Sequence, residues 1–202
     1  MSVHNIPFSQ ELEQWLSSKK NTTVDDLRKV TGEKSFAIVV LICMFIPALP
    51  LPTGGITTVL LVPATLITAF QMMFGRRALW LPARIKSIRL GDKTLTRALP
   101  FIIRRIRWFE RFSQPRLADY VTSPIFRIFT GFMIFLCALG AFVAPPFSGL
   151  DTLPAMGAVI IALGIMLEDI LLILLGMVVG AIGIGLLVAA ATLVIAFVQQ
   201  LF

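Results

Sequence analysis

Residues 50–57 read PLPTGGIT and residues 145–152 read PPFSGLDT, and a shift of about 95 positions lays one block on the other. Pro50 then meets Pro145, Gly54 meets Gly149, Thr57 meets Thr152, and Thr53 faces Ser148. Each block stands between two apolar runs. Phe36 to Pro50 precedes the first and Ile56 to Phe74 follows it, while residues 125–143 precede the second and Leu153 to Leu167 follow it. Proline removes a backbone donor and glycine frees the backbone, so each block marks the vertex of a helical hairpin. A repeat of this kind is the first thing to seek in a chain, because it sets the architecture. Both hairpins enter from the same side on this count of crossings, which makes the repeats parallel; an inverted pair needs an odd number of crossings between equivalent points.

The run from Phe36 to Pro50 is short, about 15 residues or roughly 22 Å of helix, where a standard crossing takes about 20 residues. The run after it carries Pro63 in its interior. Two geometries satisfy these lengths: a tight transmembrane hairpin with an external turn, or a re-entrant hairpin that turns at depth. In the second, backbone that leaves the helix within hydrocarbon has to be covered by protein or by a water-filled cavity.

Composition agrees with membrane residence. Of 202 residues, 57% are hydrophobic and only 14% charged, and the mean hydropathy is +0.88, which excludes a disordered chain and argues against an ordinary soluble domain. Eighteen basic residues oppose eleven acidic ones, for a net charge of +7. The basic ones fall in residues 1–34 and 76–127, and none follows Arg127. This basic stretch connects apolar segments instead of covering a folded polar surface, so its partner is expected to be anionic lipid headgroups and not nucleic acid.

Five regions follow. Residues 1–34 form a cytoplasmic amphipathic arm, with Phe8, Leu12, Trp15 and Leu16 at helical spacing and a capping box at Thr23 and Asp26. Residues 35–75 are the first membrane hairpin unit. Residues 76–124 are a basic interfacial middle whose stripe of Leu95, Leu99, Ile102, Ile106 and Phe109 suits an amphipathic helix in the headgroup plane. Residues 125–169 are the second hairpin unit, opened by Ser123 and Pro124 as cap and first helical residue. Residues 170–202 are a last transmembrane segment, long enough to tilt strongly or to break near Gly183 and Gly185. The expectation is an all-α, polytopic membrane protein of five crossings, or six if the last segment divides. The positive-inside rule places the N-terminus and the basic middle in the cytoplasm.

Candidate functional residues follow from the vertices and from the few polar groups between apolar runs. Pro50, Pro52, Thr53, Gly54, Gly55 and Thr57, with Pro145, Ser148, Gly149, Asp151, Thr152 and Pro154, either line a pathway with exposed backbone groups or simply turn the chain and cap helices. Gln71 is placed to join two helices by a hydrogen bond. Glu168 and Asp169 are adjacent carboxylates between two long apolar segments; they pair with Arg76 or Arg77, take a cation or exchange protons if they lie below the headgroups, and form a solvated loop if they lie at the boundary. Gly176 and Gly180, in GMVVG, permit close helix packing, within one subunit or in a homodimer. Cys43 and Cys137 lie in apolar runs and His4 is the sole histidine, so no metal site, catalytic Cys/His arrangement or cofactor fingerprint is expected. The carboxylates show no paired glycosidase-like arrangement, so the chain is not expected to be an enzyme.

The combination of PALPLPTGG at residues 47–55, AFQMMFGRRALWLP at 69–82, the basic amphipathic middle and DTLPAMGAVIIALGIMLEDILLILLG at 151–176 resembles the ExoD family of exopolysaccharide-synthesis proteins, over about residues 10–198. The resemblance implies a bacterial inner-membrane protein associated with exopolysaccharide production, with the synthesis machinery as partner and no established catalytic chemistry. The motif positions it covers are Pro50, Pro52, Gly54, Gly75, Arg76, Arg77, Trp80, Leu81 and Pro82 in the first half, and Gly149, Thr152, Leu153, Pro154, Glu168 and Asp169 in the second. Asp151 stands where the family often has asparagine. An accessory component of exopolysaccharide synthesis or export is therefore the leading expectation, and a small-solute or ion transporter using the two vertices is the alternative.

Overall fold

The computed structural model describes residues 23–32, 34–50, 56–76, 79–80, 123–145 and 148–201, with single positions at 10, 13, 14, 17, 100, 104 and 107. Among the described residues six α-helices have bounds: α1 (Val24–Thr31), α2 (Lys34–Phe45), α3 (Ile56–Met73), α4 (Pro124–Val143), α5 (Thr152–Leu167) and α6 (Ile170–Leu201). The fold is all-α. Two of its helices are long and apolar enough to cross a membrane, Pro124–Val143 and Ile170–Gln200, while α2, α3 and α5 are apolar but shorter. The stripe from Leu95 to Phe109 lies outside the described residues except at isolated positions.

Local chemistry starts and stops these helices. At α1 the Thr23 hydroxyl accepts from the Asp26 N–H at 3.3 Å, and the Asp26 carboxylate accepts from the Thr23 N–H at 3.2 Å, a reciprocal box that satisfies two end donors. Ser123 caps α4 by accepting from the Phe126 N–H at 3.3 Å, with Pro124 in the first helical turn. α3 continues through Pro63, and α6 runs unbroken through Gly183 and Gly185, so the last segment is one helix of 32 residues.

α5 is the centre of the bundle and packs on α2, α4 and α6. It carries Ala155, Gly157, Ala158, Ile161, Ala162 and Gly164 on its buried surface. α2 lies on α5 and α3 on α4, while each hairpin's own helices also pack together, α2 with α3 and α4 with α5. Exchanging the two hairpins maps this set of contacts onto itself, the pattern expected of two related units about a pseudo-two-fold axis.

The most extensive contact joins α5 to α6, and glycine makes it possible. A Cβ on Gly157 would lie 2.6 Å from the Gly180 nitrogen and 2.9 Å from the Gly176 oxygen, and one on Gly183 would lie 2.6 Å from Pro154. The two backbones touch where side chains would hold them apart. Gly176 is therefore used within the chain against α5, and Gly180 against the Cys137 thiol of α4 and Gly157 of α5.

Among the described residues, α6 then runs on past the other helices. Gly183 faces Leu153 and Pro154 at the start of α5, so the end of the bundle that carries the vertices falls near the middle of α6. About 20 Å of α6 precedes that level and about 27 Å follows it. In the second stretch most of the large side chains are exposed, from Val198 at 46% to Leu193 at 72%.

Candidate functional site

The bundle has a polar layer at each end. At the vertex end, Ser148, Gly149 and Asp151 form the turn between α4 and α5. The Ser148 hydroxyl donates to the Pro145 carbonyl at 2.7 Å and accepts from the Leu150 N–H at 3.2 Å, and Gly149 takes φ +68°, a conformation that favours glycine. Asp151 precedes α5 but does not cap it. Its backbone is already helical (φ −73°, ψ −24°) instead of extended, and its side chain makes no capping bond. The carboxylate reaches across to the other hairpin, where Oδ2 accepts from the Thr58 hydroxyl at 2.8 Å. The first turn of α3 is thereby joined to the second vertex, just ahead of α5, by a side-chain hydrogen bond.

Thr58 was not among the residues singled out from the sequence, although it adjoins Thr57, the last matched position of the repeat. The other named vertex positions divide as follows. Pro50 and Pro145 are exposed, Thr152 is half-buried at the start of α5, and Pro154 is fully buried against α6. Pro52, Thr53, Gly54 and Gly55 lie outside the described residues, and of Thr57 only the helical backbone is described.

At the opposite end, Glu168 and Asp169 join α5 to α6. The Asp169 side chain accepts from the Leu171 N–H at 3.0 Å, which caps α6, and the residue is 6% exposed. Glu168 forms an ion pair of 2.8 Å with Lys34, with only 12% of its side chain exposed. These carboxylates therefore form a packed junction, and Glu168 meets Lys34 at the start of α2 instead of Arg76, which is exposed just past α3. Arg77 lies outside the described residues. Arg127 is also buried here, on α4, next to Ile128, which faces Gly75 at the end of α3.

Gln71 holds the chain that leaves α3. Its Oε1 accepts from the Trp80 N–H at 2.6 Å and its Nε2 donates to the Trp80 carbonyl at 3.4 Å. The side chain thus ties the segment after α3 back onto that helix instead of joining two helices. Phe70, Phe74 and Trp80 stand exposed around it, with the two phenylalanine rings 4.7 Å apart. Aromatic rings beside Arg76 are the grouping that suits a membrane–water interface. Gln71→Leu leaves both Trp80 backbone groups without this partner. In a chain whose other tryptophans, Trp15 and Trp108, are replaced by Phe, it is expected to speed quenching of Trp80 by aqueous iodide. Unchanged quenching would show that Gln71 does not hold the segment.

Between the layers the buried face of α3 carries hydroxyls. Thr58, Thr65 and Thr68 are all buried, and Thr65 stands beside the Cys43 thiol of α2. Among the described residues no group of three or more His, Cys, Asp or Glu is placed to hold a metal ion.

Comparison with known proteins gives the following. The family model described as "Exopolysaccharide synthesis, ExoD" matches residues 8–189. "Uncharacterized protein slr1875" of Synechocystis sp. is 30% identical over 179 residues, a match that covers 85% of this chain and 81% of that one. No solved structure matches.

Proposed function

We propose, starting from the fact that this chain belongs to the ExoD family, that it is an accessory integral component of exopolysaccharide synthesis or export in the bacterial inner membrane. In this reading both hairpins are re-entrant, the N-terminus and the basic middle face the cytoplasm, and the middle rests on anionic headgroups. The chain performs no catalysis of its own and acts on the synthesis machinery through contact.

The observation that carries the reading is the meeting of the two vertices, Thr58 on Asp151, at the mid-length of α6. α6 has 32 residues, about 48 Å of helix. Hydrocarbon is about 30 Å thick, so α6 crosses at a tilt. With its two ends at the two interfaces, the vertices fall at mid-depth and the layer of Lys34, Glu168 and Trp80 at the cytoplasmic surface. α5, at 16 residues or about 24 Å, is too short to accompany α6 all the way. Because Gly176 and Gly180 are occupied by α5 and α4, a homodimer built through α6 uses the part of that helix beyond Gly183.

The test is genetic. Deleting the gene is expected to lower the exopolysaccharide yield of the source bacterium, the wild-type chain to restore it, and Asp151→Ala, compared at matched membrane levels, to fail to restore it. A yield unaffected by deletion would end the exopolysaccharide reading.

The line of Thr58, Thr65 and Thr68 on the buried face of α3 favours a second reading, transport of a small solute or ion along that face. It predicts solute or ion flux into liposomes that carry only this protein. Thr65→Val, which removes a hydroxyl and keeps the shape, is expected to reduce that flux. Liposomes no leakier than empty ones would exclude it.

A further inference from the structure

We infer that Lys34 and Glu168 form a latch that holds the bases of the two hairpins together, and that the backbone at Glu168 is strained so that the junction relaxes when the latch opens. This goes beyond the reading above and does not rest on it. Lys34 opens α2, in the first unit, and Glu168 closes α5, in the second. Their ion pair of 2.8 Å is largely sheltered, with 26% and 12% of the two side chains exposed.

The strain is visible in a comparison within the chain. α3 and α5 end in the same turn. After α3, the Gly75 N–H bonds to the Met72 carbonyl at 2.9 Å and the Arg76 N–H to the Gln71 carbonyl at 3.3 Å; after α5, the Glu168 N–H bonds to Ile165 at 3.4 Å and the Asp169 N–H to Gly164 at 2.9 Å. This turn needs a left-handed residue, for which glycine is the usual choice. Gly75 supplies it at φ +67°, but in the second unit the position is Glu168, at φ +55°. Among the described residues it is the only non-glycine with positive φ. A side chain kept where the backbone disfavours one is held there by its surroundings, and such places are found at switching elements. Here the surroundings are Lys34 and two elbows packed together. One is the α1–α2 elbow, where Gly32 is at φ +51° and the Ser35 hydroxyl bonds to the Gly32 carbonyl at 2.6 Å; the other is the α5–α6 elbow capped by Asp169.

At the far end the same two units are linked by Thr58 and Asp151. Between the links, α2 meets α5 and α3 meets α4 through apolar and small residues. Opening the base latch while the vertex link stays closed therefore separates α2 from α5 at the base first.

Hydrogen exchange on the full-length protein in lipid nanodiscs tests this. Glu168→Gln keeps the strained backbone and removes the charge. It is expected to raise exchange about 10-fold or more at residues 31–36 and 164–173, where opening is local, and to leave residues 150–156 unchanged. The paired exchange of Lys34→Glu with Glu168→Lys is expected to recover part of the protection that either single change loses. Glu168→Gly removes the ion pair and the strain together, so it folds even if Glu168→Gln does not, and it is expected to exchange faster than wild type but more slowly than Glu168→Gln at the same two segments. Wild-type protection in Glu168→Gly, or a paired exchange no better protected than its single changes, would overturn the latch.

Discussion

Gly157→Val is expected to lower the thermal unfolding midpoint of the purified protein by roughly 6–12 °C, from a loss of about 3 kcal/mol at ~2–4 °C per kcal/mol. The reason is the identity of what stands opposite. The new Cβ would meet the Gly180 nitrogen at 2.6 Å and the Gly176 oxygen at 2.9 Å, both backbone atoms of α6 that no rotamer change can move. α5 and α6 would have to part along the longest contact in the bundle. Gly185→Val is the control, since the same helix offers open space there, and its effect is expected to stay within about 0.5 kcal/mol. Equal midpoints for the two variants would mean that α5 and α6 do not touch at Gly157.

Asp151→Ala is expected to destabilise the chain by about 1.5–3 kcal/mol, the range for a hydrogen bond to a charged group, because it leaves the buried Thr58 hydroxyl without its acceptor. Thr58→Val removes the other half of the same bond. Together the two changes are expected to destabilise by less than the sum of the singles, which is the signature of a shared contact. Strict additivity would show that the vertices are not joined. Asp151→Asn keeps an acceptor in place and is expected to lose less than Asp151→Ala. If the vertices must stay joined for function, the order of exopolysaccharide yield among these variants follows the order of their stability.

Local signals were legible in the sequence where the chemistry itself is local. The cap at Ser123 and Pro124 and the box at Thr23 and Asp26 depend on residues within one turn, and the structure has both. The two vertices could be placed in register because proline and glycine are written into the chain. That they touch could not be read, since the contact runs through Thr58, one residue outside the matched positions. Asp151 resembled a helix cap in sequence, but capping requires an extended backbone and the turn at Gly149 delivers a helical one, which turns the carboxylate toward the other hairpin.

Long-range partners were illegible for a different reason. Glu168 had several basic residues to choose from, and Lys34 is the one it meets because α2 lies along α5, a fact of packing that no spacing encodes. GMVVG specifies a close helix neighbour without saying whose. Its neighbour is α5 because Gly157, with the Ile161 backbone one turn on, offers the matching close surface on the preceding helix of the same chain. Glycine at 183 and 185 suggested a break, but Gly183 is needed to admit Pro154, and α6 continues straight through.

The most direct test of the re-entrant reading measures the depth of the vertices. Fluorophores placed singly at Ser148→Cys and Pro50→Cys, in a chain with Cys43 and Cys137 replaced by Ala, would be quenched by lipids carrying a nitroxide either near the headgroup or deep on the acyl chain. Stronger quenching by the deep nitroxide at both positions is the predicted result, with little effect of an aqueous quencher added outside. Stronger quenching by the shallow nitroxide, together with free access for the aqueous quencher, would place the vertices at the outer surface and contradict the account.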